Sequence, residues 1–407
     1  MARPARRIDR LRAFLAVESA GGMLLLGASI IALIWANASA DGYQSFWAHP
    51  LSIDIAGVRV DPTPVAVIND GLMTLFFLVI GLEVKRELAV GALRSRRAAM
   101  LPLWAAAGGM LVPALIYLAV VGGGPGSHGW GVPIATDVAF ALAALGAFGR
   151  RIPPALVAFL LGVAVIDDIG SIIVIAVAYS QAIHWWWLVG AGCVLAATGL
   201  ANRLGVRHLG VYGALAVAAW WATIHSGVHP TIAGVAIGLL IPVRPRRTVD
   251  AHAAAGEEGV DPPLERLVAR LHPYSAFLVL PLFALANAGI TFDGSLFTVP
   301  EQTRVAGAVV LGLVIGKLVG LSGGALLASR LNLAALPVGV TRRQLLAVSA
   351  TAGIGFTVSL FITDLAFTDP DLAVAARTGV FAGSLTAFAL GALLMLLALR
   401  RSARRAP

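Results

Sequence analysis

Apolar stretches long enough to cross a lipid bilayer recur from one end of this 407-residue chain to the other. A span needs about 20 largely apolar residues, and inside hydrocarbon its backbone groups must find partners within the segment. The pattern predicts an all-α polytopic membrane protein with spans at roughly 12–35, 64–85, 99–121, 131–148, 154–179, 186–202, 209–224, 227–241, 265–288, 305–328, 344–366 and 373–399. Composition points the same way. Only 13% of residues are charged and 58% are hydrophobic, whereas soluble domains are about a quarter charged.

A net charge of +9 raises the question of a nucleic-acid partner, which its distribution answers. With the N-terminus inside, the clusters "ARPARRIDRLR", "KREL…LRSRR", "GRR", "NRLGVR", "VRPRR", "TRR" and "RRSARR" all fall on the cytoplasmic side. Of the 30 Lys and Arg residues, 26 lie there; Arg59, Arg304, Arg377 and Lys317 are the other four. That is the positive-inside bias of a membrane protein, and it predicts twelve spans with both termini cytoplasmic rather than a nucleic-acid surface. The basic start, apolar core and "ANASA" resemble a cleavable signal. The apolar segment is longer than a signal requires and Glu18 interrupts it, so a retained first span is expected. The lone Cys193 rules out a disulfide framework or a cysteine metal site. Residues 242–264 form the longest polar stretch, expected to be a cytoplasmic linker within a single domain covering 1–407. "HPLSIDIAGVRVDP" alternates around a Gly as a short external β-hairpin would, and "HWWWL" suits an aromatic belt.

Most charges lie toward helix ends; four do not: Asp137, Asp167, Asp168 and Lys317. Each costs about 2.5–3.5 kcal/mol at a helix centre on insertion scales, so such residues default to a functional role. Three acids against one base exceed what ion pairing alone can neutralise. Asp167 and Asp168 point about 100° apart on a helix. One can therefore face Lys317 on another helix while the other faces a cavity and takes a proton or a cation. An empty, ionised site is disfavoured by desolvation, so proton and cation compete for it. Near Asp137, Pro133 disrupts the helix and Thr136 adds an oxygen; Gly353 and Gly355 interrupt a second span. Broken helices at matched positions of two halves point to a mid-membrane ion site. Carboxylates with hydroxyl and carbonyl oxygens suit a hard cation such as Na+ or Li+. The triplets at 99–179 and 305–399 each hold one break and start seven spans apart, which makes them inverted repeats.

In these blocks the chain is similar to the NhaA-type Na+/H+ antiporters of bacteria. The similarity rests on "INDGLMTLFFLVIGLEVKREL", "PIATDVAFAL", "VAVIDDIGSI", "SGVHPTIAG", "LHPY", "LPLFALANAG", "IGKLVG" and "GIGFTVSLFI", which occur in family order. It implies a transporter rather than an enzyme, located in the bacterial inner membrane, with Na+, Li+ and H+ as transported substrates and no cofactor. Asp168 matches the family's main cation and proton carboxylate, and Asp167 the partner carboxylate paired with Lys317; these two would hold the transported Na+. Asp137 and Thr136 match the "TD" of the unwound helix, where Asp137 and Lys317 would balance the facing helix ends. Glu83, Glu87, His229 and His272 match positions linked to the pH response. Two protons are expected to move inward for each Na+ expelled, by alternating access. The resemblance also suggests the hairpin as a route to a homodimer. Two departures stand out. Ala269 replaces the first histidine of the family's "HVLHP", and Pro230 follows His229.

Three other activities fit the same polar residues less well. A cation-coupled solute transporter needs a larger polar cavity than the few intramembrane polar residues supply. An intramembrane aspartyl enzyme needs two carboxylates sharing a proton, which a lysine partner would spoil. A channel needs no neutralisation requirement. His225 and His229, four residues apart, have the spacing of a two-histidine metal face, though a packed or interfacial histidine is the expected role for His225.

Overall fold

The structure is a computed structural model that describes residues 3–55, 58–180, 182–206, 208–243, 263–291, 299–337 and 339–403. It is helical apart from one short strand pair, Ile53–Ile55 antiparallel to Val58–Val60 with Asp54 opposite Arg59. The helices are α1 (Arg3–Ala38), α2 (Ala40–Ala48), α3 (Pro64–Ala89), α4 (Arg96–Val121), α5 (Val138–Gly146), α6 (Pro154–Ala178), α7 (Trp185–Leu204), α8 (Leu209–Ser226), α9 (Thr231–Leu240), α10 (Pro263–Asn287), α11 (Pro300–Arg330), α12 (Arg342–Thr351), α13 (Phe356–Ala366) and α14 (Pro370–Ala403). Their starts follow local chemistry. Thr63 caps α3, accepting from the Ala66 amide, and Pro64 occupies the first turn, where its missing N–H costs nothing. Thr341 and Gln344 form a reciprocal capping box on α12.

Among the described residues, eight helices are long and apolar enough to cross a membrane, or ten when each of two bent pairs counts as one span. The chain is a multi-pass membrane protein. The two remaining expected spans coincide with α8 and α9. Helix α9 starts only at Thr231, because Pro230 stands at its N-cap; its ten residues rise about 15 Å, half the thickness of a hydrocarbon core. Most of the expected linker, residues 244–262, lies outside the described residues.

The chain forms two compact units. One comprises Met1–Phe46, Ser95–Ser171 and Phe283–Pro407; the other comprises Trp47–Arg94 and Ile172–Leu282. The first unit is built on a core in which Ala105, Leu142, Leu160, Val163, Leu321 and Val348 are fully or almost fully buried. Within it α4 and α11 approach backbone to backbone. A Cβ on Gly320 would strike the Gly108 carbonyl, and one on Gly324 would strike the Trp104 carbonyl. Small residues are what permit such proximity between membrane helices. The second unit packs Leu82, Tyr212, Ala219, Ile237, Leu264 and Val268 together. At the start of α7, Trp185, Trp186 and Trp187 are exposed.

Candidate functional site

Both broken spans belong to the first unit. In the first, a tight 3-10 segment, Pro125–Ile134, gives way to extended chain at 135–137 before α5, with a bend of 44°. In the second, α12 and α13 meet at 46° across residues 352–355. The breaks touch directly, for the Asp137 amide donates to the Ile354 carbonyl at 2.6 Å. Crowding explains the two glycines here. A Cβ at Gly353 would collide with the Leu313 carbonyl, and one at Gly355 would meet Ser359, Leu313 and the Ala135 carbonyl. Pro133 lies just before the extended stretch, in a segment pinned by the Ser359 hydroxyl donating to the Val132 carbonyl at 2.7 Å. Phe356 stacks edge-on against both Phe140 and Phe381 at the same crossing.

Asp137 serves the half-helices. It is the N-cap of α5, accepting from the Phe140 amide at 3.2 Å. Its other oxygen accepts from the Thr357 amide at 3.1 Å and the Thr357 hydroxyl at 2.6 Å. One carboxylate thus meets the N-terminal ends of two half-helices, whose partial positive charges favour an anion. The local signal for this cap is an Asp standing before an apolar helix. The role of Thr357 has no such signal, because its partner is 220 residues away in sequence.

Asp167 and Lys317 are both completely buried and in contact, Nζ to Oδ2 at 2.6 Å. The Thr136 hydroxyl lies 2.7 Å from the same Oδ2 and 2.9 Å from the Ala352 carbonyl. It has one proton for two acceptors. Asp167 Oδ1 accepts no hydrogen bond among the described residues. Asp168, one residue on, is only partly buried. The helix therefore buries one aspartate completely in an ion pair and leaves its neighbour less buried. Lys317 follows a wide π-turn, Gly312–Gly316, a feature frequent at functional sites. Its hydrogen bond goes to a carboxylate rather than to a helix-end carbonyl. No three His, Cys, Asp or Glu side chains converge as a metal cage among the described residues.

The residues matched to the pH response lie in the second unit, His272 against Glu83 and His229 against another partner. His272 Nε2 is 3.6 Å from Glu83 Oε1. His229 Nε2 is 3.6 Å from Asp70 Oδ1, and its Nδ1 is 2.9 Å from the Thr231 hydroxyl. Glu87 folds back over Gly91. His225 stacks between Trp187 and Trp221 at centroid distances of 4.8 and 4.7 Å, as a packed interfacial ring.

Residues 12–395 match the family described as Na+/H+ antiporter 1. The Na(+)/H(+) antiporter NhaA of Anaeromyxobacter sp. (strain Fw109-5) is 43% identical, with 97% of this chain and 92% of the relative covered. That of Escherichia coli O139:H28 (strain E24377A / ETEC) is 42% identical over 94% of this chain and 97% of its own. In structure, the chain is similar to the sodium proton antiporter MjNhaP1 from Methanocaldococcus jannaschii, with TM-score 0.54, 13% identity and 96% and 99% of the two chains covered. At that identity the likeness is one of fold. The similarity seen in the motif blocks therefore extends over nearly the whole sequence, and the chain belongs to the Na+/H+ antiporter 1 family.

Proposed function

We propose that this protein expels Na+, and Li+, across the bacterial inner membrane in exchange for inward protons, with Asp168 as the carboxylate that alternates between them. One observation carries the proposal. Of two adjacent aspartates beside crossed broken helices, Asp167 is sealed against Lys317 and Thr136 while Asp168 stays partly accessible. A desolvated, ionised Asp168 is unfavourable when empty, so release of one cation favours capture of another and exchange becomes obligatory. Thr136, Asp137 and the 352–355 chain supply the surrounding oxygens and dipoles, and Asp167 with Lys317 sets the local charge. Access alternates as the site opens first to one side and then to the other. Two protons enter per Na+, which moves one net charge inward and lets the membrane potential contribute about 2.3 kcal/mol per 100 mV.

In the same proposal twelve spans, with inverted repeats at 99–179 and 305–399, place both termini in the cytoplasm. Glu83, Glu87, His229 and His272 adjust activity to pH, and the 49–62 hairpin joins two copies. The buried Asp167–Lys317 pair weighs against a shared-proton aspartyl enzyme.

The test is Na+-driven dequenching of a pH-sensitive dye in everted vesicles at several pH values, with Na+, Li+ and K+. Na+ and Li+ are expected to dequench, and Asp168→Asn is expected to abolish the signal. Exchange persisting in Asp168→Asn would refute the assignment.

A further inference from the structure

Arg377 is one of the few basic residues off the arginine-rich side of the sequence, and the proposed exchange makes no use of it. Its guanidinium grips one oxygen of Asp364 with two nitrogens, Nη2 at 2.6 Å and Nε at 3.2 Å. The side chains are 25% and 15% exposed. Asp364 stands near the end of α13 that points away from the helix break, and Arg377 is on α14. Tyr43 borders the pair. Its hydroxyl lies 2.8 and 2.7 Å from the Leu285 and Ala286 carbonyls and accepts from the Gly289 amide at 3.2 Å. A Cβ on Gly289 would run into the Tyr43 ring. Burial raises the Tyr43 phenol to about 12, against the lowering pull of the Gly289 amide and the Arg377 charge, so the hydroxyl remains a neutral donor at ordinary pH. Phe283, on the stretch of α10 that Tyr43 holds, contacts Phe361 of α13 with centroids 6.2 Å apart.

Helix α13 is a half-helix of 11 residues. It begins at a break, so no continuous backbone above it fixes its depth. Its first turn holds Asp137 through Thr357, and seven residues later Asp364 meets Arg377. These anchors are about 10 Å apart on one rigid rod. An ion pair taken largely out of water contributes little net stability relative to apolar residues of the same volume, and its best-attested use is to fix register; this one is partly buried. We propose that Arg377 is a positioning residue for ion exchange. Through Asp364 it sets the axial position of α13, and thereby keeps Thr357 on Asp137 and the Ile354 carbonyl on the Asp137 amide.

This inference rests on Asp168 being the exchanging carboxylate, and the test separates the two. Purified full-length protein in proteoliposomes is assayed for Na+-driven proton flux as wild type, Arg377→Gln, Arg377→Lys, Asp364→Asn and Asp168→Asn. Thermal midpoints are measured in detergent alongside. Arg377→Gln and Asp364→Asn are expected to raise the apparent KM for Na+ on the order of tenfold with little change in maximal rate, within the roughly hundredfold that a misplacement of about 1 Å can cost. Arg377→Lys keeps the charge but loses the two-nitrogen grip, and should recover part of the KM. Should Arg377→Gln fail to fold, the near-isosteric Asp364→Asn carries the same expectation. A lowered thermal midpoint with an unchanged KM would overturn the proposal, because the pair would then be a plain brace. Exchange surviving in Asp168→Asn would instead overturn the site assignment, whatever Arg377 does.

Discussion

Lys317 and Asp167 show how charge counting and burial together assign roles to single side chains. Neither reaches solvent, so removing one partner strands a buried charge, which costs about 3–5 kcal/mol. Lys317→Ala is expected to lower the thermal midpoint of the purified protein sharply, and adding Asp167→Asn should restore much of it. Equal losses in the single and double variants would deny that the two residues act as a pair. Asp137 makes a second case. Asp137→Ala removes the cap of α5 and leaves the Thr357 amide and hydroxyl without their acceptor. Loss of the cap alone costs about 0.5–2 kcal/mol, measurable as a drop in thermal midpoint beyond that of Asp137→Asn, which still offers an acceptor oxygen. That the two aspartates face different ways, one of them toward Lys317, was legible from the 100° turn between adjacent helical residues. Which of the two meets Lys317 was given by the family resemblance and not by local sequence, because it depends on how α6 is rotated about its axis, a property of packing.

At the scale of elements, the broken helices are readable from Pro133, Gly353 and Gly355, but the reason for the glycines is not. No φ of Gly353 or Gly355 falls in the left-handed region among the described residues; both sit where other backbone leaves no space. Gly353→Ala would press on the Leu313 carbonyl at the π-turn preceding Lys317. Overpacking of this kind costs about 1–3 kcal/mol. Gly307→Ala on α11 meets nothing within 4 Å, and in a helix should stabilise by up to about 1 kcal/mol. Thermal unfolding of the two variants should therefore move in opposite directions. A comparable shift in the same direction for both would show that free space does not govern these positions. Where capping is local, at Thr63 and Thr341, the helices start within two residues of the expected spans at 64 and 344. The shortness of α9 was not expected: the span read from hydropathy opens at 227, whereas Pro230 holds the helix start back to Thr231.

For the whole molecule, hydropathy marked where most of the long helices lie, because bilayer thickness sets a minimum length for a span, but it marked neither α2 nor the shortness of α9. What hydropathy does not carry is the pairing of distant segments: the Asp137 amide on the Ile354 carbonyl, or the Thr136 hydroxyl shared between Asp167 and the Ala352 carbonyl. The contacts to Ala352 and Ile354 join segments more than 200 residues apart and arise only once the two breaks cross. Competition of Na+ and protons for Asp168 is the claim on which the proposed exchange stands. It is tested most directly by titrating purified protein with Na+ in weak buffer while following proton release and heat. Na+ should release protons, and its apparent affinity should weaken about tenfold per pH unit for each proton displaced as pH falls below the carboxylate's pKa, with both effects absent in Asp168→Asn. Na+ binding that releases no protons, keeps the same affinity at every pH, or survives in Asp168→Asn would contradict it.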